Sequence, residues 1–147
     1  MSERDESTFS LRYAVKRTIS APVEVVWSKI TDAAGFAKWN STVESIDGRI
    51  AVGEKLAIRV PIAPGRTFSP TVVELVANER MVWQDGFFPM FQGTRTFTLT
   101  RRGSSTEFEM AEVFRGVMLP MIKPSLPDFG PVFDQYAADL DAACTQR

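Results

Sequence analysis

Two charged residues stand where apolar ones are due. Residues 94–101 and 106–115 alternate apolar and polar side chains with the period of a β-strand. On the first, Phe97 and Leu99 share a face with Arg95; on the second, Phe108, Met110 and Phe114 share a face with Glu112. Between them, Arg102-Gly103-Ser104-Ser105 has the chemistry of a two-residue hairpin loop, with Gly103 at the first central position of a type II′ turn. That loop opposes Leu99 to Phe108, Phe97 to Met110 and Arg95 to Glu112. A base and an acid thus meet on an otherwise apolar face. Such a pair can be structural, because a lone charge there is costly to bury. It can equally anchor a ligand in a cavity, Arg95 donating to a carbonyl, phenolate or carboxylate. Asp85 shares parity with Met81 and Trp83, on a strand expected beside that of Arg95. Tyr136 is either a packed core tyrosine or a hydroxyl pointed into the same space.

The absence of histidine removes whole mechanisms. No Ser–His–acid or Cys–His nucleophile system can be assembled, and a zinc site would need one Cys plus carboxylates. Gly-rich phosphate loops and dinucleotide fingerprints are missing too, so no metal and no cofactor is expected. Catalysis, if any, would rest on Glu, Asp, Arg, Tyr, Lys or water. The single Cys144 excludes an internal disulfide and shows no sign of activation.

These side chains need a scaffold, and the pattern of apolar residues describes one. Residues 1–8, polar and mixed in charge, are expected to be a disordered tail, and 9–19 a first strand. Pro22 suits the first turn of a helix whose apolar face carries Val23, Val26, Trp27 and Ile30. A second short helix holds Phe36 and Trp39. Strands follow over 43–49, 55–61, 67–76, 81–86, 94–101 and 106–115, separated by turn residues. The stretch 117–127, Met-rich and broken by prolines, is either a buried lead-in or a mobile flap. Beyond it Phe129, Phe133, Tyr136, Leu140 and Ala143 form the narrow stripe of a long amphipathic helix, which only the sheet can cover.

Ile19, Ala21-Pro22, Val26-Trp27, Thr31-Asp32 and Trp39-Asn40, in this order of elements, resemble the START-like helix-grip superfamily (birch-pollen-allergen-like, polyketide-cyclase-like, SRPBCC). The likeness runs from Leu11 to Cys144. It implies an α+β fold, a curved antiparallel sheet of about seven strands wrapped around a long C-terminal helix, with 9–147 a single ligand-binding domain. It also implies a cavity for a hydrophobic or aromatic small molecule, a lipid or polyketide-like metabolite. Gly93-Thr94-Arg95-Thr96-Phe97 and Glu112-Val113-Phe114-Arg115-Gly116 are similar to a pattern of bacterial cyclase-like members, with Arg95 where that pattern has His. The lining is expected to include Arg95, Glu112, Asp85, Tyr136, Phe97, Leu99, Phe108, Met110, Phe114 and Phe133. Two other roles stay open. One is a cyclase or aromatase that moves a proton alpha to a carbonyl, with Arg95 stabilising the enolate. The other is a regulatory, protein-binding domain.

Composition bounds the partners. Seventeen Lys and Arg against eighteen Asp and Glu leave a net charge of −1, so nucleic acid is not expected. No apolar run approaches the ~18 residues that span a bilayer, and the first residues lack the apolar core of a signal peptide. A cytoplasmic monomer or weak homodimer without stable membrane insertion is the expectation.

Overall fold

The computed structural model describes residues 1–145. In chain order the elements are β1 (Glu3–Ser7), β2 (Ser10–Ile19), α1 (Val23–Ile30), α2 (Phe36–Trp39), β3 (Ser45–Asp47) and β4 (Ala57–Arg59). Then come β5 (Thr71–Val76), β6 (Arg80–Phe87), β7 (Phe91–Arg102), β8 (Ser105–Arg115), α3 (Leu119–Ile122) and α4 (Gly130–Thr145). Six strands make one antiparallel sheet in the order β1-β2-β8-β7-β6-β5, while β3 and β4 form a separate two-stranded ladder. Two isolated bridges, Lys55 to Thr71 and Ile58 to Phe68, tie that ladder to the approach of β5. The α+β helix-grip architecture is as the sequence implied, except that the strands divide into six and two rather than one sheet of about seven.

Residues 3–7 correct the expectation of a disordered tail. They pair antiparallel with β2, from Glu3 opposite Ala14 to Ser7 opposite Ser10. All five side chains are exposed, so the strand buries no apolar group and leaves no hydrophobic pattern to read. Its support is the free edge of β2 together with charge contacts, among them Arg4 to Glu6 at 3.1 Å and Lys123 to Glu6 at 3.1 Å.

The helices enter as their residues dictate. Pro22, with φ −61 and ψ 153, is the N-cap that turns the chain out of β2 into α1, and Glu24 and Lys29 sit at the favourable ends of that helix's dipole. In α4 the stripe Phe133, Tyr136, Ala137 and Leu140 is buried on the concave face of the sheet. Each large side chain so covered contributes ~1.5–3 kcal/mol. The 117–127 stretch is anchored by Leu119, fully buried, but leaves Val117 and Met121 exposed. Its start is pinned to the β6–β7 turn, the Val117 N–H donating to the Pro89 carbonyl and that of Met118 to the Met90 carbonyl. Gly116 permits this approach at φ +144; a Cβ there would lie 2.2 Å from the Met90 oxygen. Among the described residues no helix is long and apolar enough to cross a membrane.

Candidate functional site

Strand register builds the site. Across the sheet, Val72, Trp83, Arg95, Glu112, Tyr13 and Arg4 oppose one another in turn, one from each of the six strands. Opposed residues share a face. The neighbouring row, Leu75, Met81, Phe97, Met110 and Val15, is wholly apolar. A rung with a charged pair at its centre therefore lies beside a wholly apolar row on the face that α4 covers.

The hairpin register that produces it is the expected one, Arg102 opposite Ser105 and Arg95 opposite Glu112, with Gly103 at φ +64. The Arg95 Nε–H donates to Glu112 Oε1 at 2.8 Å, and the two side chains are 23% and 12% exposed. The Phe133 ring of α4 lies under the guanidinium, its centroid 5.2 Å from Cζ. Glu112 leans along its strand toward Gly93, where an added Cβ would come within 3.3 Å of Oε2. The glycine two residues before Arg95 thus leaves room for the carboxylate. Burial pushes the Glu112 carboxyl above the usual range; Arg95 pulls it back, and Asp85 adds to the rise.

Tyr136 enters from α4. Its ring stacks parallel on Phe108 at 6.2 Å and meets Trp39 edge-on at 5.9 Å. Its hydroxyl is buried without a hydrogen-bond partner among the described residues, and so is the indole N–H of Trp83. Burial pushes the Tyr136 phenol up, against the pull of the Arg95 charge.

Trp83, Arg95 and Tyr136 line one cavity of about 40 Å³. Met110, Phe129 and Phe133 complete its inner wall, and Ile46, Ile58, Val60 and Ile62, from the β3–β4 ladder and the loop after it, form the outer one. Of the expected lining, Arg95, Tyr136, Met110 and Phe133 are present. Phe97, Leu99 and Phe108 are buried but stand outside it, because the Tyr136 ring caps Phe97 and Phe108. Phe114 is stacked between Phe91 and Phe129, also away from the void. Glu112 stands behind Arg95 rather than on the wall. Asp85 lies exposed at the end of β6, opposite Gly93, its Oδ1 accepting from the Gly86 N–H.

A model of the family described as polyketide cyclase / dehydrase and lipid transport matches residues 10–142. The chain belongs to that family. No curated protein matches it in sequence. Among solved structures it is similar to protein MLL2253 from Mesorhizobium loti, at 22% identity and TM-score 0.71, over 90% of this chain and 95% of that one. It is similar to truncated norcoclaurine synthase from Thalictrum flavum, at 13% identity and TM-score 0.68, over 97% and 98% of the two chains. A START superfamily protein from Mycobacterium smegmatis matches at 16% identity and TM-score 0.65, over 92% and 97%. At these identities the likeness speaks to the fold alone.

Within this polyketide cyclase-like fold, reading the sequence missed Trp83 as a cavity residue. The signal was its shared parity with Asp85, but the register against Arg95 depended on the β6–β7 turn. The β3–β4 wall was also missed, since 43–49 and 55–61 read only as further strands of the sheet. Burial pushes the Cys144 thiol up to about 11. Among the described residues no three His, Cys, Asp or Glu side chains cluster as metal ligands.

Proposed function

We propose that this family member binds a hydrophobic or aromatic small molecule in the cavity between its sheet and α4. The observation that carries the reading is the combination of an apolar wall with three donor-bearing residues, Arg95, Trp83 and Tyr136, around one small cavity. A space built this way holds flat apolar bodies by dispersion and orients them by a few polar contacts. The family's description, which includes lipid transport, is consistent with it. At about 40 Å³ the void holds only two or three water-sized groups. A ligand must therefore part the outer wall, which the main sheet holds by two bridges and a few backbone hydrogen bonds such as Leu56 N–H to Pro70 O and Ile58 N–H to Phe68 O. The test is solvent extraction and mass spectrometry of the protein purified from its own cells, followed by thermal shift with whatever is recovered. Recovery of an apolar compound that raises the melting temperature supports the reading; an empty protein that no apolar compound stabilises defeats it.

The cyclase alternative needs an acid or base at the ligand. Glu112 is the strongest acid–base candidate on the rung, yet it sits behind Arg95 and not on the wall. Its place favours binding over proton transfer, with the carboxylate orienting the guanidinium.

The protein-binding alternative has an observation of its own. Phe9, Phe87, Phe88, Met90, Val117 and Met121 are all exposed, and backbone hydrogen bonds from Gly116 to Phe9 and from Met118 to Met90 bring their segments together at one end of the sheet. Sedimentation of wild type and a Phe88→Ser, Met121→Ser variant at rising concentration tests it. Association lost in the variant supports a docking face between copies; concentration-independent monomers in both remove it.

A further inference from the structure

We propose, resting on the cavity reading above, that its polar end is a seat for one neutral carbonyl oxygen, held by Arg95, Trp83 and Tyr136. Glu112 occupies the Nε–H of Arg95, and among the described residues neither terminal nitrogen of that guanidinium has a hydrogen bond. The Trp83 indole N–H and the Tyr136 hydroxyl are buried and unpaired. An indole N–H and a guanidinium can only donate, and a tyrosine hydroxyl donates readily. Unpaired buried donors are rare and costly, so two of them on residues that line one small cavity, beside the partly exposed guanidinium of Arg95, describe what belongs there: an acceptor.

Charge narrows the choice of acceptor. Glu112 already neutralises Arg95 at 2.8 Å, and Asp85 adds a further negative charge at the rim. A carboxylate brought onto the same donors would leave net negative charge in a largely apolar space, close to the Glu112 carboxylate. A ketone, ester or quinone oxygen takes the donors without that penalty. The seat thus discriminates by charge as well as by hydrogen bonding, and Glu112 is the residue that sets the discrimination from behind.

The experiment uses three single-ring probes of similar size, ethylbenzene, acetophenone and benzoate, with dissociation constants from amide NMR titration of the full chain. Wild type should hold acetophenone roughly three- to tenfold more tightly than ethylbenzene, the worth of a net hydrogen bond or more, and benzoate more weakly than either. Trp83→Phe and Tyr136→Phe should each erase part of the acetophenone advantage and leave ethylbenzene unchanged. Glu112→Gln keeps an acceptor for the Arg95 Nε–H but removes the charge; it should raise benzoate affinity roughly tenfold or more relative to acetophenone. Ethylbenzene and acetophenone binding alike in wild type would overturn the seat while leaving the cavity reading standing. No binding of any probe would overturn both. Benzoate binding tightest to wild type would show that Glu112 does not set the charge preference, and would overturn the choice of a neutral ligand.

Discussion

Glu112 grips Arg95 by one edge only. Its Oε1 accepts from Nε at 2.8 Å, and neither terminal nitrogen of the guanidinium has a hydrogen bond among the described residues. The pair is neither a surface bridge nor a sealed core pair, at 23% and 12% side-chain exposure. It is both a structural satisfaction of charge and a mount for a donor.

The pair should therefore be visible in stability. Glu112→Leu strands a mostly buried guanidinium and is expected to cost about 2–4 kcal/mol, somewhat less than a sealed pair because water reaches part of Arg95. The double variant Arg95→Met, Glu112→Leu should recover much of that loss. Urea denaturation of the four proteins of the cycle measures the coupling. Additive single effects would show that the two residues do not act together.

The same carboxyl should give a pH signature. Burial raises its pKa above the ordinary 4.5, so the folded protein holds the proton more tightly than the unfolded chain. Its contribution favours folding below about pH 4.5 and is lost as pH rises through the folded value. The stability of wild type relative to Glu112→Gln should thus fall with rising pH across that window. Glu6, lowered by Lys123 and Arg4, works in the opposite sense, but it is common to both proteins and cancels in the difference. A difference curve that rises with pH would contradict the assignment.

Tyr136→Phe removes a buried hydroxyl that has no partner among the described residues and leaves the stack on Phe108 in place. Without ligand the variant is expected to be more stable by about 1 kcal/mol. With 147 residues this is a rise of roughly 2–4 °C, which calorimetry resolves. A clear loss of stability would mean that the hydroxyl is already satisfied, for instance by an ordered water.

Leu140→Asp tests the grip itself. Leu140 is fully buried where α4 meets the sheet and α1. The change forfeits its burial and places a carboxylate among apolar groups. It should lower the melting temperature by more than ~15 °C or abolish cooperative unfolding, taking most of a domain's ~5–15 kcal/mol of stability.

What the sequence disclosed and what it hid follow from where each signal lies. The β7–β8 register was legible because Gly103 fixes a short turn, and alternation then carries the pairing eleven rungs to Gln92 and Arg115. The α4 stripe was legible because Phe133, Tyr136 and Leu140 fall on one face. Trp83 was not, since its partner depends on a turn through Phe88, Pro89 and Met90 whose length the pattern does not set. Phe97 and Phe108 read as cavity wall because they share the right face; only the placement of the Tyr136 ring shows that they are capped. Strand β1 was hidden for a different reason, as its partners are backbone groups and ions, which leave no apolar period.

That strand has a bearing on how the protein behaves at high concentration. Without it, the ten residues of β2 would offer an unpaired row of N–H and C=O groups to any other chain. With it, the outermost row belongs to Glu3, Arg4, Asp5 and Glu6, whose charges and full exposure discourage a second copy from adding on. The first seven residues thus act as a guard against fibre-like stacking, and their removal is expected to lower solubility well before it lowers the melting point.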